Sequence, residues 1–120
     1  MKKYVLKMNE EQAKICAMAC EFYARIMMGQ FQEIPYHLMQ GQIADDGYLY
    51  RREVAENCLM AAKKAIYPEL GGIGASYGIG KFPKADMSFD IYQVLREKFP
   101  HDGRTPFSYG ELPECEVVEE

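Results

Sequence analysis

The chain has 120 residues, with 14 Lys and Arg against 18 Asp and Glu, and a formal net charge of -4. That balance opposes the broad phosphate neutralisation on which duplex binding depends, so long nucleic acid is not an expected partner; a small anion needs only a few arginines and backbone amides. No apolar run approaches the roughly 18 residues that span a bilayer, and no basic start leads into an apolar stretch and a cleavage site, so the expectation is a soluble intracellular protein without a membrane partner.

By length the chain is expected to be a single domain over residues 1–120, with an acidic tail over 111–120 carrying Glu114, Glu116, Glu119 and Glu120. Residues 2–8 alternate, with Tyr4, Leu6 and Met8 on one face and Lys3, Val5 and Lys7 on the other, the period of a half-buried strand. Asn9 followed by Gln12 has the form of a capping box, and Glu10 and Glu11 suit the positive end of a helix predicted over 10–28. Two stripes run along it: Ile15, Ala19, Phe22 and Ile26, and Cys16, Cys20, Tyr23 and Met27. They are wider than one face needs, and Met18 and Met28 lie outside them, which fits either a self-association surface or a helix well buried in a small domain.

Gly29 is placed to stop that helix, and Gln30–Ile34 has the look of one more helical turn before Pro35. Residues 41–47 mark a loop. A second long helix is predicted over 48–66, with Val54, Cys58, Ala61 and Ala65 on its apolar face, joined by Ala55, Leu59 and Ala62. A third, over 87–98, takes Asp86 or Ser88 as its cap and sets Phe89, Tyr92, Leu95 and Phe99 on one face. A short strand around Phe107–Tyr109 would pair with residues 2–8. The fold class is therefore α+β, a helix-dominated small domain with two long helices, a shorter third helix and a small antiparallel sheet from terminal strands.

Cys16, Cys20, Cys58 and Cys115 form no CxxC pair and meet no histidine at zinc-ligand spacing, which argues against a metal or disulfide; no cofactor is implied. His37 and His101 fall in expected loops. No serine, threonine or cysteine stands in a base-activated arrangement, so no catalytic residue is assigned and a non-enzymatic role is expected.

Between the second and third helices lie five glycines in ten residues, Gly71, Gly72, Gly74, Gly78 and Gly80. Glycine loses much backbone entropy on ordering, so such a loop is either a mobile connection or a place where a ligand or another backbone comes close. Two phosphate motifs fail on it. Ala75 stands where a P-loop needs its first glycine and Phe82 follows Lys81, while Gly72, Gly74 and Gly78 have the wrong last interval for a dinucleotide fingerprint and follow a helix. What remains is a loop with backbone amides and two aromatics, Tyr77 and Phe82, ahead of a helix on which Asp90, Gln93 and Arg96 share a stripe. An arginine fork suits phosphate and aromatic faces suit a base, although the same residues also serve as packing groups and as an Arg96 pair with Asp90 or Glu97. Arg25, in a mostly apolar stretch that ends with Gln30 and Phe31, must reach solvent, pair or meet a ligand. Arg51 and Arg52 are less specific.

Residues 23–34 (Tyr-Ala-Arg-Ile-Met-Met-Gly-Gln-Phe-Gln-Glu-Ile), 75–80 (Ala-Ser-Tyr-Gly-Ile-Gly) and 90–96 (Asp-Ile-Tyr-Gln-Val-Leu-Arg) resemble blocks of small bacteriophage and prophage proteins, most of all the first-described anti-Thoeris sponge family. The resemblance spans roughly residues 3–110. It implies a non-enzymatic protein of the host cytoplasm that sequesters cyclic ADP-ribose isomers made by TIR immune enzymes, in pockets formed by aromatics and arginines at a homodimer interface. Higher assemblies that also hold cyclic oligonucleotides are implied for some members. Arg25 and Gln30 fall in the first block, and Tyr77, Phe82, Asp90 and Arg96 in the later region. Glu97 stands where the family-like blocks often carry a basic residue. The alternative is a protein that docks directly on a host or phage enzyme, its acidic surface covering a basic site.

Overall fold

The computed structural model describes residues 1–72, 74–99 and 114–119. Among them the elements run β1 (Lys2–Lys7), α1 (Glu10–Met27), α2 (Glu33–Met39), a 3-10 turn (Gln40–Gln42), α3 (Tyr48–Ile66), α4 (Pro83–Arg96) and β2 (Glu114–Glu119). This is a helix-dominated α+β fold with a two-stranded antiparallel sheet. Two compact units divide the chain: Met1–Glu21 with the described residues from Phe89 onward, and Phe22–Ser88.

In the first unit, β1 pairs with β2 in the register Lys2↔Glu119, Tyr4↔Val117 and Leu6↔Cys115. The expected strand around Phe107–Tyr109 lies outside the described residues. The strand that pairs occupies part of the segment read as an acidic tail, because both ends of the ladder set a glutamate opposite a lysine, Glu119 opposite Lys2 and Glu114 opposite Lys7. The terminal amine lies 3.4 Å from the Glu119 carboxylate. β1 is not half-buried: Tyr4 is 70% exposed and Leu6 48%. Asn9 and Gln12 close the capping box reciprocally. The Asn9 amide donates to Gln12 Oε1 at 3.1 Å, and the Gln12 amide donates to Asn9 Oδ1 at 2.8 Å. The rings of Phe89 and Tyr92 meet along α4 at 5.5 Å between centroids, tilted by 60°.

The buried line of α1 differs from both predicted stripes. It passes through Ala17 and Ala24 and continues to Met28 just past the helix end, while Ile15, Met18 and Tyr23 are exposed. Small alanines let a helix approach its neighbours closely, and the bulkier apolar residues flank that seam rather than fill it.

The second unit begins with the end of that helix. Gly29 adopts φ +93, its amide donates to the Ile26 carbonyl at 3.0 Å, and the Gln30 amide donates to the Arg25 carbonyl at 2.9 Å, a complete Schellman stop. Pro35 does not end a helical turn as expected. It lies in the first turn of α2, where its missing N–H has no helical partner to lose, and it is almost fully buried. His37 is accordingly helical, 3.3 Å from Glu33 and edge-on to Phe22 at 5.0 Å between centroids.

The predicted bounds of α3 match, but its inward face does not. Val54, Cys58, Ala61 and Ala65 are exposed, whereas Tyr48 and Lys63 are buried and Arg52, Ala55, Glu56 and Leu59 half-buried. A tyrosine, an arginine and a lysine on that side hide their long stems and bond their polar tips, so hydropathy alone points to the wrong face. Arg52 donates to the Tyr48 hydroxyl at 2.8 Å and to Glu56 at 3.1 Å, which raises the guanidinium above its ordinary range. Helix α4 starts at Pro83, four residues before the predicted start, so Asp86 and Ser88 lie inside it rather than at its cap. The carboxylate of Asp86 instead accepts from the Gly80 amide at 3.1 Å, closing the turn at Gly80, whose φ is +100.

Candidate functional site

The glycine loop is tied to two helix ends by polar bonds. Lys63, 2% exposed on α3, donates from Nζ to the carbonyl of Gly72 at 2.9 Å and to the carbonyl of Ala75. Burial lowers the Lys63 pKa from its ordinary value, since the ammonium is taken out of water. Carbonyl oxygens replace part of that lost hydration. Farther along, the Tyr77 amide donates to the Met28 carbonyl at 2.8 Å, and the Tyr67 hydroxyl donates to the Met27 carbonyl at 2.6 Å. The last carbonyls of α1, which no helical amide can reach, are thus capped by residues that flank the loop.

These ties gather four aromatic rings. Tyr67 meets Tyr77 edge-on at 5.3 Å, Phe82 at 6.1 Å and Phe31 at 6.3 Å, and Tyr77 meets Phe82 edge-on at 5.4 Å. Phe31 is buried, while Tyr77 and Phe82 are half-buried and keep surface toward solvent. Lys81 places its ammonium 5.1 Å from the centre of the Tyr77 ring. Aromatic faces beside a cation are the groups that stack a base and attract a phosphate.

Of the residues nominated from sequence, Tyr77 and Phe82 come together here. Arg25 and Gln30 also come together: Arg25 Nη1 donates to Gln30 Oε1 at 2.9 Å across the Schellman turn. Arg96 belongs to the first unit, with Asp90 and Gln93 on the same exposed helix face. Its Nη1 donates to the Tyr92 hydroxyl at 3.1 Å and the guanidinium lies 5.4 Å from that ring's centre, rather than on Asp90 or Glu97. The Tyr92 hydrogen bond chiefly raises the Arg96 pKa, and Glu21 and Glu97 add in the same direction.

The sequence leaves open whether another part of the chain approaches the loop glycines; among the described residues none crowds the place of a side chain there. A Cβ added at Gly71, Gly72, Gly74 or Gly78 would meet nothing within 4 Å. Sequence reasoning also passed over Lys63, Tyr67 and Lys81. The signal for the first two was the i,i+4 stripe Leu59, Lys63, Tyr67, in which the lysine interrupts an otherwise apolar line.

Away from the loop, a concavity of roughly 410 Å³ opens at the start of α3, lined by Ile43, Asp45, Asp46, Gly47, Tyr48, Leu49 and Tyr50. Arg51 beside it donates to Gln42 at 2.6 Å and lies 3.9 Å from Asp45. Cys16 and Cys20 lie one turn apart in α1, and burial followed by its neighbour Cys20 raises the Cys16 thiol pKa. Among the described residues, no group of His, Cys, Asp or Glu is arranged to hold a metal, and no helix is long and apolar enough to cross a membrane.

No family model, curated protein or solved structure matches the chain.

Proposed function

We propose that this is a binding protein that captures a small cyclic nucleotide without cleaving it, with the loop cluster of Tyr77, Phe82 and Lys81 as the contact surface. The observation that carries this reading is the pair of half-buried rings beside a lysine ammonium, in a loop whose Gly72 carbonyl accepts from Lys63. The resemblance to the anti-Thoeris sponge family supplies the ligand class: a cyclic ADP-ribose isomer, or for some members cyclic oligonucleotides, in the cytoplasm of a phage-infected bacterium. Arg25 with Gln30, in the same unit as that cluster, is the polar pair assigned to phosphate and ribose; Arg96 with Tyr92, in the other unit, is a separate candidate contact.

The direct test is to incubate the protein with a cyclic ADP-ribose isomer, remove unbound nucleotide, heat-denature the complex and analyse what is released. Intact nucleotide is the expected product. A cleaved product would establish an enzyme, and no retained nucleotide would reject the reading. Arg96→Ala should weaken binding by about an order of magnitude, the scale of a charge-assisted contact, with unfolding still cooperative; unchanged affinity makes Arg96 structural.

A homodimer or higher homo-oligomer belongs to the same proposal, supported by the exposed Ile15, Met18 and Tyr23 on α1. Met28, expected in that interface, is buried within its own chain and takes no part. Light scattering that returns a monomer at micromolar concentration rejects the assembly.

The alternative, direct docking on a host or phage enzyme, draws on the groove beside Asp45 and Asp46, where Ile43, Leu49 and Tyr50 are more than half exposed. A stoichiometric protein partner recovered from infected cells at physiological salt, with no nucleotide in the purified protein, would favour it.

A further inference from the structure

We propose that Lys63 is the positioning residue of the glycine loop: its buried ammonium fixes the peptide planes at Gly72 and Ala75 and so turns an amide outward for an anionic ligand. This role rests on the nucleotide-binding reading above. In a trans peptide the C=O and N–H point in opposite directions. With the Ala75 carbonyl drawn in to the Lys63 ammonium, the N–H of the same peptide, that of the exposed Ser76, points away from it. One residue on, the Tyr77 amide is spent on the Met28 carbonyl, which anchors the far end of the segment and the ring that follows.

Steric contact does not set this conformation. Among the described residues a Cβ at Gly72 or Gly74 would meet nothing within 4 Å, so the glycines give the segment freedom rather than fit. Left unlatched, that freedom would be lost on ligand binding and subtracted from affinity. A lysine whose Nζ reaches two loop carbonyls removes it beforehand. A buried ammonium is costly unless it is well hydrogen-bonded, and an apolar residue would fill the same stem volume without that cost. Lys63 also packs its Cε 3.7 Å from where a Gly29 Cβ would stand, so one side chain braces both the loop and the turn that ends α1.

The test has two arms. In the wild-type protein, NMR should detect a slowly exchanging Lys63 ammonium resonance with through-space contacts to Gly72 and Ala75; a rapidly exchanging, solvent-like signal overturns the latch. In Lys63→Met, similar in length but without donors, the Ala75 and Tyr77 amides should exchange at least about tenfold faster while the helical signal persists. Affinity for a cyclic ADP-ribose isomer should fall by about tenfold or more. Unchanged exchange, or faster exchange with unchanged affinity, overturns the positioning role. Where Lys63→Met does not fold, Lys63→Gln, whose shorter stem and single amide reach at most one of the two carbonyls, should still show faster exchange and weaker binding than wild type, and wild-type values of both overturn the positioning role. A wild type that shows the latched ammonium but binds no nucleotide rejects the ligand and with it the positioning role, while leaving the latch itself observed.

Discussion

The end of α1 and the terminal sheet are both ordered by backbone hydrogen bonds, yet they are finished in opposite ways. At the helix end the carbonyls of Ala24, Arg25, Ile26, Met27 and Met28 all accept hydrogen bonds, from the amides of Met28, Gln30, Gly29 and Tyr77 and from the Tyr67 hydroxyl. Around them Phe31 and Met28 are buried. In the sheet, backbone pairing is complete along six positions, but Tyr4, Val5, Leu6 and Val117 stay exposed. Hydrogen bonding orders both regions; only the first adds side-chain burial. Two-stranded sheets are marginal in water without a covering layer, so the order of this one depends on what else touches it.

Substitutions should separate the two regions by size of effect. The largest is expected at Gly29, where a side chain would have to accept φ +93 and stand 2.7 Å from Leu70 Cδ1. Gly29→Val should destabilise the protein by about 3 kcal/mol, read from chemical denaturation midpoints. A change under half of that would mean the turn relaxes to another stop. Next is Tyr67→Phe, which deletes the hydroxyl on the Met27 carbonyl and leaves a helix-end acceptor without that donor. A loss of about 1.5 kcal/mol is expected, with faster exchange of the Tyr77 amide.

Asn9→Ala, which opens the capping box beside the sheet, should cost about 1 kcal/mol and fray the first turn of α1, visible as a loss of helical signal. The smallest effect is expected at Leu6→Ser on the exposed strand: below about 0.5 kcal/mol when the protein is dilute. If this change instead lowers stability in a concentration-dependent way, the sheet is covered by a second copy, and the contrast between the regions belongs to the lone chain only.

Much of this was legible locally. The Asn9 and Gln12 pair, the Gly29 stop and the bounds of α3 follow from bonds that span a few residues and from the sign of one dihedral angle. Helix α2 was not, because a proline reads as a stop unless it is known to lie in a first turn. The inward face of α3 was misread because Lys63, Arg52 and Tyr48 look solvated by composition and become internal only once carbonyls and hydroxyls are supplied to them. At the candidate site, Tyr77 with Phe82 and Arg25 with Gln30 were nominated and are adjacent. Lys63 and Tyr67, which hold the loop and the helix end, were missed because their partners lie 9, 12 and 40 residues away.

By itself, then, the sequence determined where the long helices begin and end, since caps, glycine stops and periodicity act within a turn or two of the chain. The tertiary structure alone decided which faces turn inward, which acidic segment becomes a strand, and what the glycine loop is fastened to. Those outcomes depend on a distant carbonyl or amide arriving at hydrogen-bond distance, and such an arrival leaves no local pattern in the residues that wait for it.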